Sequence, residues 1–122
     1  MPLRVMIVDD ALFMRNMLKD ICERAGFEVV AESDNGETAL ELYREHRPDL
    51  VTMDIVMPRR SGIEALRDIV ADDPEARVVM VSALGQDSLV LEAVEAGARD
   101  FIVKPFREDK VVDIIRRVTG CG

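Results

Sequence analysis

Asp9, Asp10, Asp54, Ser82 and Lys104 are the side chains of this sequence whose types and placement could do chemistry. They stand at the ends of short apolar runs. Val5-Met6-Ile7-Val8 leads into Asp9-Asp10, Leu50-Val51-Thr52-Met53 into Asp54, Val78-Val79-Met80-Val81 into Ser82, and Phe101-Ile102-Val103 into Lys104-Pro105. Carboxylates held about 4 Å apart repel by about 1 kcal/mol per pair in water and about 4 at an effective dielectric of 20. A cluster of them therefore calls for a cation, and an all-oxygen donor set suits Mg2+ better than Zn2+. A lysine adds a point charge for an anion and a serine adds a hydrogen-bond donor. Together they meet the needs of in-line phosphoryl transfer, where the protein mostly positions groups and neutralises charge. The acceptor would be a carboxylate that becomes an acyl phosphate. Asp54 is the acceptor candidate because it ends the central run, and Asp9 and Asp10 are better placed as metal ligands.

The elements that must position these groups are legible in the hydrophobic pattern. Apolar runs (Leu3–Val8, Glu28–Ala31, Leu50–Met53, Val78–Val81 and Phe101–Val103) alternate with amphipathic stretches. Three of the runs lack polar alternation, as strands covered on both faces do. Between them, Leu12, Phe13, Met17, Leu18, Ile21 and Cys22 share one helical side, with Gly26 as the stop. Asn35-Gly36 opens a second helix whose Ala39, Leu40 and Tyr43 face inward and which Pro48 closes. Ile63, Leu66, Ile69 and Val70 mark a third, Ser88 to Ala96 a fourth, and Val111, Val112, Ile114, Ile115 and Val118 a fifth. Such alternation predicts an α/β fold, a three-layer sandwich on a parallel sheet. All strand carboxyl ends then share one edge, where open α/β sheets bind ligands. Residues 1–122 read as one domain.

Composition narrows the function. With 48% hydrophobic residues in 122, one buried core is within reach. No window approaches the ~18 consecutive apolar residues of a membrane span, and Met1-Pro2-Leu3-Arg4 has no features of a signal peptide. A net charge of −8, from 24 acidic residues against 16 Lys and Arg, opposes binding to nucleic acid and favours basic protein surfaces. Cys22 and Cys121 lack metal-ligand spacing and read as a partly buried thiol on a helix and a free thiol in the tail. They suit a reducing, cytoplasmic setting. His46, the only histidine, reads as a solvent-exposed residue favoured by a helix C-terminus.

Val5-Met6-Ile7-Val8-Asp9-Asp10, Met53-Asp54-Ile55-Val56-Met57-Pro58, Val81-Ser82-Ala83 and Asp100-Phe101-Ile102-Val103-Lys104-Pro105-Phe106 resemble the motifs of two-component response-regulator receiver domains, in order and along essentially the whole chain. Asp9 to Leu18 and Ser82-Ala83-Leu84-Gly85-Gln86-Asp87 resemble the free-standing chemotaxis members of that family. The resemblance implies a doubly wound (βα)5 flavodoxin-like fold with sheet order 2-1-3-4-5. It implies Asp54 as phospho-acceptor, Asp10, Asp54 and the Val56 carbonyl as Mg2+ ligands, and Asp9 acting through metal-bound water. Ser82 and Lys104 would pair with the phosphoryl group, Phe101 would swing inward on activation, and the Lys104–Pro105 peptide would be cis. The implied donor is a sensor histidine kinase of the CheA type, and the implied target a flagellar motor switch component of the FliM type. A phosphatase would reset a monomeric switch that catalyses only its own phosphoryl transfer and dephosphorylation.

Other readings compete. Asp9-Asp10 could simply cap a helix, and Phe101 could be core. A phosphorelay intermediate would use the same site and pass the group to another protein's histidine. A small Asp-nucleophile phosphohydrolase is disfavoured because no carboxylate lies two residues after Asp54 and no segment could form a substrate cap. A flavin carrier is disfavoured by one Tyr, no Trp and acids where a phosphate loop should be. Departures from the family pattern are Phe101, where Tyr is frequent, and Arg59-Arg60, where acidic or polar residues are common. Their expected effects fall on partner recognition and kinase docking.

Overall fold

The strands of this chain run past their apolar residues, so that the polar residues at their ends become the last rungs of the sheet. In the computed structural model, which describes residues 2–120, β1 is Arg4–Val8, β2 Glu28–Ser33, β3 Leu50–Asp54, β4 Val78–Ala83 and β5 Asp100–Lys104. Asp54 pairs with Val81, Ser82 with Val103 and Ala83 with Lys104. The backbone ladder continues wherever a neighbour is available, whatever the side chain. Cys121 lies outside the described residues.

The helices follow each strand: α1 Leu12–Arg24, α2 Ala39–His46, α3 Gly62–Asp72, α4 Asp87–Ala96 and α5 Glu108–Thr119. The five strands form one parallel sheet in the order β2-β1-β3-β4-β5. This is the doubly wound, flavodoxin-like order that the family resemblance implies. Ser61 and Glu64 start α3 with a reciprocal capping box, each side chain satisfying the other's backbone N–H.

Two apolar layers sandwich the sheet. Val5, Ile7, Leu50, Val79, Val81 and Ile102 pack with Leu18, Ile21 and Cys22 of α1 and Val111 and Ile115 of α5. On the other face Met6, Val8, Val51, Met53, Val78 and Met80 pack with α2, α3 and Ala93 of α4. Residues alternate between these layers along each strand, as the pleat requires.

Two expectations need correction. Leu12 and Phe13 are 60% and 70% exposed rather than inward-facing. They occupy the first turn of a helix that begins at the carboxyl edge, where the sheet beneath has ended. His46 is half-buried rather than solvated, with Nε2 4.0 Å from Glu45 Oε2.

Candidate functional site

At the end of β1, Asp9 is buried and fixed from several sides. Its N–H donates to the Ser33 carbonyl at 3.0 Å. Its Oδ1 accepts the Ala11 N–H at 2.9 Å. Its own carbonyl accepts Nη1 of Arg15 at 2.7 Å, and Arg15 in turn pairs with Glu32 of β2 at 3.4 Å. Oδ2 of Asp9 is buried without a hydrogen-bond partner. Asp10 is exposed beside it. The helix-cap reading of this pair fails, because Ala11 holds the N-cap position of α1 and no side chain caps that helix.

Asp54, the last residue of β3, is also buried. Asp9, Asp10 and Asp54 each present a carboxylate oxygen within 4.8 Å of the others. Nζ of Lys104 reaches in from β5, 3.6 Å from Asp54 Oδ1 and 3.8 Å from Asp9 Oδ2. Three carboxylates against one ammonium leave a surplus of two negative charges when all are ionised. Burial pushes the Asp54 carboxyl up to about 6; the Asp9 charge adds to this and Lys104 opposes it. Burial likewise raises Asp9, against the Ala11 N–H and Lys104. The unpartnered Asp9 oxygen, the oxygen-only donor set and the excess charge fit a small hard cation.

The pleat divides the predicted residues between two faces. Asp54 shares its face with Leu50, Lys104 with Ile102, and Asp9 with Val5 and Ile7, so all three project on the α1/α5 side. Ser82 follows Val78 and Met80 onto the opposite side, where Phe101 also packs. The structure thus brings Asp9, Asp10, Asp54 and Lys104 together. It sets Ser82 on the neighbouring strand at the same edge, buried, with no hydrogen bond to the carboxylates among the described residues. Phe101 is half-buried and borders a surface cavity of about 300 Å³ shared with Val103, Phe106 and Lys110. The Lys104–Pro105 peptide is cis. Val56 and Leu84 expose their apolar side chains.

Several contributors have no clear sequence signal. Gln86 folds back so that its Oε1 accepts the Ala83 N–H at 2.7 Å, next to Ser82. Gly62 lies so close to β3 that a Cβ there would collide with the Asp54 carbonyl oxygen and stand 2.9 Å from Ile55 Cα. Arg60 is held by Asp68 at 2.6 Å and Glu64 at 3.5 Å, whereas Arg59 is exposed with φ +68°. A paired guanidinium and a free one cannot be told apart from two adjacent letters.

Residues 5–116 match the family described as the response regulator receiver domain. The chemotaxis protein CheY of Bacillus subtilis is 58% identical over 114 residues, covering 93% of this chain and 95% of the relative. That of Thermotoga maritima is 53% identical, covering 95% and 97%. Among solved structures, the CheX-CheY-BeF3-Mg complex from Borrelia burgdorferi superposes with a TM-score of 0.92 at 40% identity, over 97% of this chain and 90% of that one. Topology, motif order and relatives converge, and the chain belongs to the response regulator receiver family, closely related to the CheY chemotaxis regulators.

Proposed function

We propose that Asp54 is the phospho-acceptor of a chemotaxis switch working as a single receiver domain in the cytoplasm. The observation that carries this reading is the buried Asp54 carboxylate with Lys104 Nζ at 3.6 Å, inside an acid cluster that demands a cation. At neutral pH a carboxyl near 6 is mostly ionised, so Asp54 is available as a nucleophile. One of its oxygens forms the bond to phosphorus while the bond from phosphorus to the donor's histidine nitrogen breaks, and the electron pair leaves with that nitrogen. Lys104 faces the negative charge that arrives, and Ser82 offers its hydroxyl from the next strand. Asp9, Asp10, Asp54 and the Val56 carbonyl would hold Mg2+. When bound, it neutralises the carboxylates and the incoming phosphoryl oxygens.

The donor in this reading is a CheA-like histidine kinase. The output is binding of a FliM-like motor switch protein by the surface of α4, β5 and α5, and a phosphatase ends the signal. A charge arriving at the sheet edge would bias Ser82 and Phe101 between two packings, as population shifts do. The chain would turn over no other substrate. The chemotaxis relatives favour this over a phosphorelay intermediate.

The test is phosphorylation by acetyl phosphate with and without Mg2+, comparing the native chain with Asp54→Asn on a phosphate-affinity gel. A Mg2+-dependent shifted band that is lost in the variant is expected. A band that persists in Asp54→Asn, or none in the native chain, would overturn the assignment.

A further inference from the structure

The loop between β2 and α2 touches both halves of the acid site although it supplies no ligand. At one end the Ser33 carbonyl accepts the Asp9 N–H at 3.0 Å. At the other, Gly36 lies against the segment between β3 and α3, which carries Val56. A Cβ on Gly36 would collide with the Arg60 carbonyl oxygen and stand 2.8 Å from the Arg60 carbonyl carbon and 3.0 Å from the Ser61 carbonyl oxygen. Glycine is required there for space, because backbone meets backbone.

Between those ends the loop is internally tied. The Ser33 hydroxyl bonds the Asn35 carbonyl at 2.8 Å and meets the Thr38 hydroxyl at 2.7 Å. Asn35 Oδ1 accepts the N–H groups of Glu37 at 2.8 Å and Thr38 at 3.2 Å. Ser33, Asn35 and Gly36 are all buried. The segment it braces is short and closed by the Gly62 N–H on the Ile55 carbonyl at 2.8 Å, so a push on Arg60 has little slack before it reaches Val56 and Asp54.

We infer that the β2–α2 loop is a positioning element that sets the spacing between Asp9 and the Asp54–Val56 segment, with Gly36 as the contact that transmits it. This rests on the Mg2+ reading of the cluster. Groups that hold ligands in place typically govern metal affinity by about 10- to 100-fold. Enlarging Gly36 is therefore expected to weaken Mg2+ binding out of proportion to the stability lost.

The experiment is calorimetric titration with Mg2+ alone, alongside thermal unfolding, on the native chain, Gly36→Ala, Ser33→Ala and Gly26→Ala. Gly26 has φ +85°, and a methyl group added there would meet nothing within 4 Å. Its substitution strains the backbone without crowding the site. Gly36→Ala should weaken Mg2+ binding about 10-fold, and its rate of phosphorylation by acetyl phosphate should recover at saturating Mg2+. Ser33→Ala, which loosens the loop without adding bulk, should weaken binding roughly threefold. Gly26→Ala should lower the melting temperature and leave the Mg2+ affinity unchanged.

Native affinity in Gly36→Ala, or equal weakening in Gly26→Ala, overturns the inference while leaving the metal reading intact. If Gly36→Ala does not fold, Ser33→Ala decides: weakened binding supports the inference and unchanged binding overturns it. Absence of Mg2+ binding by the native chain overturns the metal reading and this inference with it.

Discussion

Nζ of Lys104 stands 3.6 Å from Oδ1 of Asp54, close enough for strong attraction and too far for a good hydrogen bond. The same ammonium lies 3.8 Å from Asp9 Oδ2. The lysine is therefore shared between two buried acids and committed to neither, which leaves it able to turn toward a new anion. Replacing it by Met keeps most of the stem and removes the charge. Phosphorylation of Lys104→Met by acetyl phosphate should slow by about 10²-fold, as for loss of a single preorganised donor. A rate within a factor of about two of native would show that Lys104 is a bystander.

Asp54 should cost the metal-free protein stability. Its carboxyl sits at about 6 in the fold against the ordinary 3.8, raised first by burial. Between those values the folded state binds more protons than the unfolded state, so stability falls as pH rises through this window. The penalty is absent below about 3.8 and fully developed above about 6. Asp54→Asn removes it, with an upper bound of about 3 kcal/mol that relaxation will reduce. Denaturant unfolding without Mg2+ should show the variant more stable at pH 7, with the gap closing toward pH 4. Equal midpoints at pH 7 would contradict the burial argument.

Arg59 adopts φ +68°, a left-handed conformation that costs a side-chain-bearing residue about 1 kcal/mol or more. It is exposed and makes no ion pair among the described residues. Arg59→Gly should therefore raise the denaturation midpoint at unchanged m-value, by an amount equivalent to about 0.5–1 kcal/mol. Arg59→Gln, which removes the charge and keeps a side chain on the same backbone, separates charge from scaffold. Arg60 anchors α3 through Asp68, so of this pair it is Arg59 that has no ion pair among the described residues and could meet a kinase. A lower rate of transfer from the kinase at an unchanged acetyl phosphate rate would assign Arg59 to docking.

Val56 and Leu84, two residues beyond Asp54 and Ser82 in the chain, expose apolar side chains. An amide at position 56 could hold and orient a water molecule that valine cannot. Val56→Asn should shorten the lifetime of the phosphorylated state severalfold, measured by loss of the phosphate-affinity band after the donor is removed. An unchanged decay would mean that water reaches phosphorus by another path.

The strand–helix order, the sheet class and the cluster of Asp9, Asp10, Asp54 and Lys104 were all legible in the sequence, because strand ends and apolar periodicity are local properties. What escaped was set by distance in space. Asn35-Gly36 reads as a turn signal, yet glycine is needed there for the Arg60 carbonyl on another strand's loop. Arg15 sits on an amphipathic helix, but its work is to hold the Asp9 carbonyl. Leu12 and Phe13 fit the helical stripe and still face outward, since periodicity cannot say where the sheet underneath stops. The alternation of Ser82 against Asp54 was available in principle, but only once the last rungs of each strand were known.

That alternation has an evolutionary consequence. Because Asp54 and Lys104 point to one layer and Phe101 packs on the other, the proposed reception of a signal and its announcement fall on opposite faces of the same sheet. Under the proposed function, Phe101 can change, retuning which partner listens, while Asp54 and Lys104 stay untouched on the other layer. A lineage built on this plan can acquire new audiences without relearning its chemistry.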